Sequence, residues 1–268
     1  MTGFSVDWLA RREPYDMRAR NPAVLDAVAA SLKNCSAIRI VDLACGTGSM
    51  LRALAPRFSG KQNWRLVDND LSLLARAIAS APPAGVTANA VPVDLSLDLE
   101  AAIDGPLDVI VTSALLDLVS DAWLERLAVE IAARSLPFYA ALSYDGRTEL
   151  GPADPFDAAI IAAVNMHQRT DKGFGPALGP TAASIAIARF QSLGYSVVHG
   201  TSDWAIGTDD RDIQLDILAG WASAACEMGT SRSDTIGWLS RRRDFVAAGQ
   251  SSIRVGHADF WARQIGTR

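Results

Sequence analysis

The stretch Ile40-Val-Asp-Leu-Ala-Cys-Gly-Thr-Gly-Ser49 carries the strongest fold signal in this chain of 268 residues. The apolar residues Ile38, Ile40, Val41 and Leu43 predict a buried parallel strand, and segment 49–58 predicts the helix that follows it. Gly46 and Gly48 lack Cβ atoms, so the backbone between these elements can adopt positive φ angles and lie against a ligand. The first turn of the helix also presents unpaired N–H groups there. The stretch therefore predicts one wall of a cofactor pocket.

Acidic residues follow two later strands in the same manner. The chain alternates predicted elements, with strands at 63–67, 87–93, 107–112 and 138–144 and helices at 71–80 and 122–134. Asp68 ends the first of these strands, Asp70 is placed to cap the next helix, and Asp94 ends the second strand. Such alternation predicts an α/β fold with a parallel sheet covered on both faces, and ligands bind at the carboxyl ends of its strands.

The glycine-rich stretch resembles motif I of the class I S-adenosylmethionine-dependent methyltransferases, whose usual form is Asp-Leu-Gly-Cys-Gly-Thr-Gly. Ala44 replaces the first glycine of that form, which is a mild change unless φ must be positive at this position. A dinucleotide-binding turn is the competing interpretation, and it needs a third glycine for helix–strand packing where this chain has Leu51. Leu51 therefore disfavours an NAD(P)-dependent oxidoreductase.

The resemblance implies one domain with a Rossmann-like, seven-stranded, mostly parallel sheet, helices on both faces and an antiparallel last strand. Its expected parts are a helical lid (1–36), a cofactor-binding core (37–145), substrate-side loops, helices and a strand (146–200), a helical insertion (201–250) and a closing strand (251–268). Loops are expected at 146–155 and 170–180, and the helical pair of the insertion at 211–228 and 233–248. Arg12, Tyr15 and Arg18 of the lid could close over the cofactor or remain on an exposed helix face.

The resemblance also implies the cofactor, S-adenosylmethionine, which leaves as S-adenosylhomocysteine. Asp68 is expected to accept the two ribose hydroxyls and Asp94 the adenine amino group. Asp42 is expected to orient the turn or receive the methionine ammonium. The expected cofactor-binding residues are Asp42, Ala44, Gly46, Gly48, Asp68, Asn69, Asp94, Leu95 and Ser113.

Methyl transfer from a sulfonium depends mainly on how the nucleophile is held, so a general base is optional. The candidate bases are Asp117, Tyr144, Asp145 and His167. Asp117 stands where many relatives carry a polar residue that faces the methyl group, although it could equally cap the following helix. His167 is the candidate whose unperturbed pKa lies near neutrality. His199 and His257 lie on predicted strands and are expected to be packing residues.

The acceptor is less well defined than the donor. The chain has Thr112-Ser-Ala-Leu115 after the fourth strand, where methyltransferases of planar amide or exocyclic nitrogens carry Asn/Asp-Pro-Pro-Tyr/Phe. This difference favours methylation of an O or N atom of a small metabolite. A non-catalytic regulatory or scaffold protein that binds the same cofactor stays open. Aromatic residues could line the acceptor pocket or fill the core: Phe156, Phe174, Trp204, Trp221 and Trp238.

The composition of the chain indicates which classes of partner molecule are unfavourable. The formal net charge is −5 and the sequence pI is about 5.2, which disfavours a nucleic-acid substrate. The run Arg241–Arg243 is expected to be a solvated helix face. Three unevenly spaced cysteines indicate neither disulfides nor a metal site. No stretch approaches the length of a membrane span, so a cytoplasmic protein is expected, and a homodimer stays open.

Overall fold

The computed structural model describes residues 4–79 and 82–265. Within them, eight strands form one sheet: β1 (Ala37–Leu43), β2 (Lys61–Asp68), β3 (Val86–Pro92), β4 (Val109–Ser113), β5 (Phe138–Gly151), β6 (Tyr195–Thr201), β7 (Trp204–Ile206) and β8 (Ser252–Gln264). The α-helices described are α1 (Val6–Ala19), α2 (Pro22–Leu32), α3 (Ser49–Leu54), α4 (Leu71–Ile78), α5 (Leu99–Ile103), α6 (Asp121–Ala133), α7 (Asp157–His167), α8 (Ala182–Ser192), α9 (Arg211–Glu227) and α10 (Arg232–Ala247).

The strand order is β3-β2-β1-β4-β5-β8-β6, with β7 paired to β8. Strands β1 to β5 pair in parallel, whereas β8 lies between β5 and β6 and is antiparallel to both. The Rossmann-like fold with an inserted antiparallel last strand is thereby confirmed. The strand order places the carboxyl ends of β1 to β4 side by side, which is the edge where such sheets bind ligands.

Both faces of the sheet are covered, and β1 shows why. Val41 and Leu43 lie in a buried cluster with residues of α6 and α8, while Ile38 and Ile40 lie in a second cluster with residues of α2 and α3. Successive side chains of a strand point to opposite faces, so a strand between two helical layers must be apolar on both. This requirement explains why apolar residues fall on both faces of the strand before the glycine turn, at Ile38, Ile40, Val41 and Leu43.

Two expectations for the second half of the chain are wrong. Residues 146–151 were expected in a loop, but they extend β5 and pair with β8 up to Gly151 opposite Ser252. The register shifts between Tyr144 and Thr148, and the extension is polar and half exposed, so its composition resembled that of a loop. The segment 201–250, expected to be a helical insertion, likewise contains the strand β7, whose three residues are too few to show a period.

Smaller differences concern the helices. The predicted helix 49–58 ends as α3 at Leu54 and continues as a short 3-10 turn that contains Pro56. Helix α5 was not predicted, since five residues offer little periodic signal. The helix predicted at 71–80 is α4, and Ser80 lies outside the described residues. Asn21 caps α2, because its Oδ1 accepts a hydrogen bond from the amide of Val24.

Helix α1 lies between the glycine turn and the insertion. Glu13 of α1 pairs with Arg52 of α3, with Oε2 and Nη2 2.7 Å apart. The hydroxyl of Tyr15 donates to Asp210, just before α9, over 2.7 Å. Helices α9 and α10 form the predicted helical pair of the insertion. In the part of the chain that the structure describes, no helix combines the length and the apolar character needed to cross a membrane.

The run Arg241–Arg243 is not a uniformly solvated face. Arg242 is fully buried, where its guanidinium pairs with the carboxylate of Asp157 and donates to the carbonyl of Pro152. A long cationic side chain can be buried when its donors are paired in this way, which composition alone does not reveal. His199 also differs from the expectation of a packing residue, since it is exposed on the edge strand β6.

Candidate active site

A cleft of about 720 Å³ opens where β1 to β4 end. Eight of the expected cofactor-binding residues line it: Asp42, Ala44, Gly46, Asp68, Asn69, Asp94, Leu95 and Ser113. Residues from other elements complete the lining, among them Leu9, Arg12 and Asp16 of α1 and the loop residues Lys172, Gly173 and Phe174. The strand ends and α1 therefore enclose one cavity.

The glycine turn adopts left-handed backbone at three positions, Ala44 (φ 54°), Gly46 (φ 53°) and Gly48 (φ 82°). Gly48 precedes α3 and does not line the cleft. A Cβ atom there would lie 3.4 Å from the Cβ of Ala77, so this glycine serves the packing of α3 on α4. Ala44 shows that φ must be positive where relatives carry glycine, and the replacement is therefore strained rather than mild.

The acids at the ends of β2 and β3 are held by backbone amides. Asp68 accepts hydrogen bonds from the amide of Gly46 at Oδ2, over 2.9 Å, and from the amide of Asp70 at Oδ1, over 3.0 Å. Asp70 caps α4 as expected, since its Oδ1 accepts from the amide of Ser72 over 2.8 Å. Asp94 accepts from the amide of Ser96 over 2.9 Å. Each carboxylate keeps further lone pairs, which can accept hydrogen bonds from a ligand in the cleft.

Asp42 lies at the floor of the cleft with an unusual lack of partners. Both carboxylate oxygens are buried, and neither has a hydrogen-bond partner within the described residues. Burial raises the pKa of Asp42 well above its usual value, an effect that the charge of Arg20 opposes and that of Asp68 reinforces. Arg20 is itself buried beneath the cleft, and its Nη2 lies 3.4 Å from the Oγ of Ser113. A buried carboxyl group without a partner among the described residues, in the wall of a cavity, can bind a cationic or hydrogen-bonding group that enters it.

Asp117 does not itself line the cleft, but it lies in the same turn as the lining residues Leu115 and Leu118. It is buried, and its Oδ1 has no hydrogen-bond partner within residues 4–79 and 82–265. Burial raises its pKa to about 6, while its own amide, the charge of Arg12 and the amide of Tyr144 oppose that rise. Ser120, rather than Asp117, caps the following helix α6. Asp117 is therefore a buried acid beside the cleft that can exchange a proton near neutral pH.

Tyr144, Asp145 and His167 do not line the cleft. The hydroxyl of Tyr144 donates to Oδ1 of Asn165 over 2.7 Å, and burial raises the pKa of this tyrosine. Asp145 forms an ion pair with Arg147 on the extension of β5. His167 ends α7, with Nε2 3.1 Å from Oε2 of Glu227 and Nδ1 3.3 Å from Nζ of Lys172.

Lys172 was missed by sequence reasoning, although it lies in the loop expected to shape the substrate pocket. Lys172 lines the cleft, whereas His167 does not, and its Nζ lies 2.9 Å from the Oγ1 of Thr170. Desolvation lowers the pKa of Lys172, opposed by the charge of Glu227. Lysine is common in exposed loops, so the sequence alone does not show that this lysine lines a cleft.

The remaining predicted contacts divide between the cleft and the core. Arg12 lines the cleft, where its Nε lies 3.0 Å from Oδ2 of Asp16 and its guanidinium lies 5.0 Å from the ring centroid of Trp204. Tyr15 and Arg18 stack on each other and do not line it. Among the five aromatic candidates, Phe174 lines the cleft, and the others belong to the packed cluster beneath the insertion: Phe156, Trp204, Trp221 and Trp238.

His257 belongs to the same cluster, as expected for a packing residue. Its ring lies 5.2 Å from that of Trp204 and 6.2 Å from that of Tyr144. Burial lowers its pKa to about 3, so the ring is neutral in the folded protein. Within residues 4–79 and 82–265, no group of three His, Cys, Asp or Glu side chains could hold a metal ion.

Comparisons with known proteins agree with this architecture. Residues 40–137 match the family model of a methyltransferase domain. A cyclopropane-fatty-acyl-phospholipid synthase-like protein from Lactobacillus casei shares the fold, with a TM-score of 0.56 and 14% identity over 97% of this chain and 94% of that one. No curated protein matches the sequence.

Two further solved structures are similar at lower scores. A methyltransferase from Thiobacillus denitrificans, in complex with S-adenosylhomocysteine, has a TM-score of 0.45 and 16% identity over 98% of this chain and all of that one. The mycolic acid cyclopropane synthase CmaA1, in complex with S-adenosylhomocysteine and CTAB, has a TM-score of 0.48 and 12% identity over 90% of this chain and 83% of that one.

Proposed function

Because residues 40–137 form a methyltransferase domain with the class I fold, we propose that this protein transfers a methyl group from S-adenosylmethionine to an O or N atom of a small metabolite. One observation carries the proposal. The carboxylates of Asp42, Asp68 and Asp94 end three neighbouring strands and meet in one cleft, where they can receive a ligand that is cationic and rich in hydrogen-bond donors.

The residues of the cleft fit this cofactor. Asp42, whose buried oxygens have no hydrogen-bond partner within the described residues, suits the ammonium of a methionine group. Asp68, held by the amide of Gly46, suits the two ribose hydroxyls, and Asp94 with the amide of Leu95 suits the adenine edge. Ala44 and Gly46 keep the turn close to the cavity, and Asn69 and Ser113 complete its polar wall.

When bound, S-adenosylmethionine supplies an electrophilic methyl group on a sulfonium. The protein must then hold the acceptor atom in line with that group, which is a matter of position more than of covalent chemistry. An acceptor O–H or N–H must also lose a proton. We assign this task to Asp117, because this buried acid lies in the same turn as the lining residues Leu115 and Leu118. Its Oδ1 has no hydrogen-bond partner within the described residues, and its pKa of about 6 leaves it ionised at neutral pH.

Tyr144 and His167 take supporting parts in this proposal. The amide of Tyr144 lies against the Asp117 carboxylate, so the start of the β5 extension helps to hold that acid. His167 contacts Lys172, which reaches the cleft in its place. A small acceptor suits a cavity of about 720 Å³, much of which the cofactor would fill.

Isothermal calorimetry with S-adenosylhomocysteine tests the proposal. The folded protein is expected to bind it with one site, and Asp68→Ala is expected to weaken binding about 100-fold, because hydrogen bonds to a charged group each contribute about 1.5–3 kcal/mol. Asp209→Ala, in an exposed turn before α9, is the matched control and should bind as the parent does. Absence of binding by the folded parent protein would remove the proposal.

A further inference from the structure

The loop 168–178 places one lysine over the cleft in a defined position. The Oδ1 of Asp171 accepts hydrogen bonds from the amides of Gly173, over 2.7 Å, and Gly175, over 3.0 Å. Both glycines have positive φ angles, which allows the tight turn. Phe174 packs edge-to-face on Trp123, with centroids 5.3 Å apart. The backbone that carries Lys172 is therefore fixed by its own hydrogen bonds and by the packing of its neighbour.

The ammonium of Lys172 has neutral partners. An ammonium has three donors and no acceptor, so Nδ1 of His167 must accept its hydrogen bond over 3.3 Å. The ring proton of His167 then lies on Nε2, which faces Oε2 of Glu227 at 3.1 Å. Within the described residues no carboxylate lies within ion-pair distance of Lys172, and Glu227 stands on the far side of the imidazole. Glu227 and His167 thus orient the ammonium without neutralising it by direct contact.

Among the described residues, the two cations that line the cleft differ in whether they have an ion-pair partner. Asp42, Asp68 and Asp94 complement a cationic methyl donor, as proposed above. The cation Arg12 is already paired with Asp16, at 3.0 Å. Lys172 is the lining cation without an ion-pair partner in residues 4–79 and 82–265, and it is partly desolvated, as the lowering of its pKa indicates. A partly desolvated ammonium interacts strongly with an anion that can enter the same cavity.

We propose that the methyl acceptor is a small molecule with an anionic oxygen group, a carboxylate or a phosphate, which Lys172 binds in the cleft. His167 and Glu227 are positioning residues for this lysine. The inference rests on the proposed function, since it specifies the second substrate of the same site. It also assigns the His167 side chain to orienting a cation, whereas the sequence alone suggested a base.

Binding of small probes to the protein loaded with S-adenosylhomocysteine tests the inference. Benzoate and phenyl phosphate are the anionic probes, benzamide is the uncharged counterpart, and the dissociation constants are measured by calorimetry at pH 7. At least one anion is expected to bind the parent protein about tenfold more tightly than benzamide, the change that corresponds to one charge-assisted hydrogen bond. The ratio of the two anions distinguishes a carboxylate from a phosphate acceptor.

Three variants complete the design. Lys172→Met should abolish the preference for the anion, and Lys172→Arg should retain part of it. Lys61→Met, at the exposed start of β2, should leave it unchanged. Equal binding of anions and benzamide by the parent protein, or an unaltered preference in Lys172→Met, would overturn the inference. Binding of S-adenosylhomocysteine is measured first, in the parent protein and in every variant. If the parent protein does not bind S-adenosylhomocysteine, the result contradicts the proposed function and not the inference about Lys172. Thermal melting of each variant shows that it is folded.

Discussion

The amide of Gly46 donates a hydrogen bond to Oδ2 of Asp68 over 2.9 Å, so the glycine turn and the acid that ends β2 form one unit across 22 residues of sequence. Asp68 therefore shapes the turn, and we propose that it also receives the ligand. Asp68→Asn keeps one oxygen that can accept from Gly46 but loses the charge. We expect it to weaken S-adenosylhomocysteine binding about tenfold, and Asp68→Ala about 100-fold, on the scale of charge-assisted hydrogen bonds.

Calorimetry on the two variants separates these tasks. Equal losses in Asn and Ala would show that only the charge matters, and no loss in either would contradict the assignment of Asp68 to the ribose. Asp68 also accepts a hydrogen bond from the amide of Asp70. If both variants lose this hydrogen bond, their melting temperatures should fall by a similar small amount, which separates its effect on stability from the effect of the charge on binding.

Ala44 is strained in the position where relatives carry glycine. Its φ angle is 54°, a left-handed conformation that costs an alanine about 1–2 kcal/mol relative to glycine. Ala44→Gly should therefore stabilise the folded protein by up to about 1 kcal/mol, because the gain is partly offset by the greater freedom of glycine in the unfolded chain. Urea unfolding measures the change. Ala53→Gly, within the regular helix α3, should have the opposite sign.

Asp117→Asn should slow methyl transfer and change how stability depends on pH. The pKa of Asp117 is about 6 in the folded protein and near 3.9 when unfolded, so the folded state favours the protonated acid. That stabilisation is fully present below about pH 4 and is lost as the pH rises through about 6. Asparagine does not ionise, so relative to the parent protein the variant should gain up to about 3 kcal/mol between pH 4 and pH 8.

Urea unfolding at several pH values measures this difference, and initial rates measure the transfer. A stability difference that stays constant with pH would show that Asp117 does not titrate in this range. A normal rate in the variant would remove Asp117 as the base while leaving the cofactor site untouched.

Apolar strands with an acid at the end predicted which acids lie at the cleft, whereas the loop and turn conformations of the site left no clear pattern in the sequence. Asp68 and Asp94 could be placed because each ends a strand with a clear apolar run, and parallel strands bring their carboxyl ends together. Lys172 could not be placed, since its position depends on the turn that Asp171 closes and on packing against α6. The positive φ angle of Ala44 could not be predicted either, because alanine, unlike glycine, does not indicate a left-handed backbone conformation.

His257 should contribute to acid unfolding. Its pKa is about 3 in the folded protein and near 6.5 when unfolded, so the neutral ring stabilises the fold above about pH 6.5. That contribution is lost as the pH falls from about 6.5 to about 3, by about 1.4 kcal/mol for each pH unit. His257→Phe keeps a ring between Trp204 and Tyr144 and should flatten this acid limb. The free energy of unfolding, measured from pH 7 to pH 4, tests the change, and a variant at the exposed His199 controls for loss of a histidine.

Arg242 should be among the most sensitive positions outside the cleft, and its neighbour Arg243 among the least. The Arg242 guanidinium is fully buried against Asp157, whose Oδ1 also accepts from the indole of Trp238 over 2.8 Å. Arg242→Met leaves that largely enclosed carboxylate without its cation, which costs about 3 kcal/mol. Arg243→Met removes an exposed charge from the same helix and should change stability by less than about 0.5 kcal/mol. Urea unfolding of both variants measures the contrast. Because Asp157 begins α7 and His167 ends it, the Arg242 variant should also disturb His167. Equal stabilities of the Arg242 and Arg243 variants would show that the ion pair between Arg242 and Asp157 does not anchor the insertion.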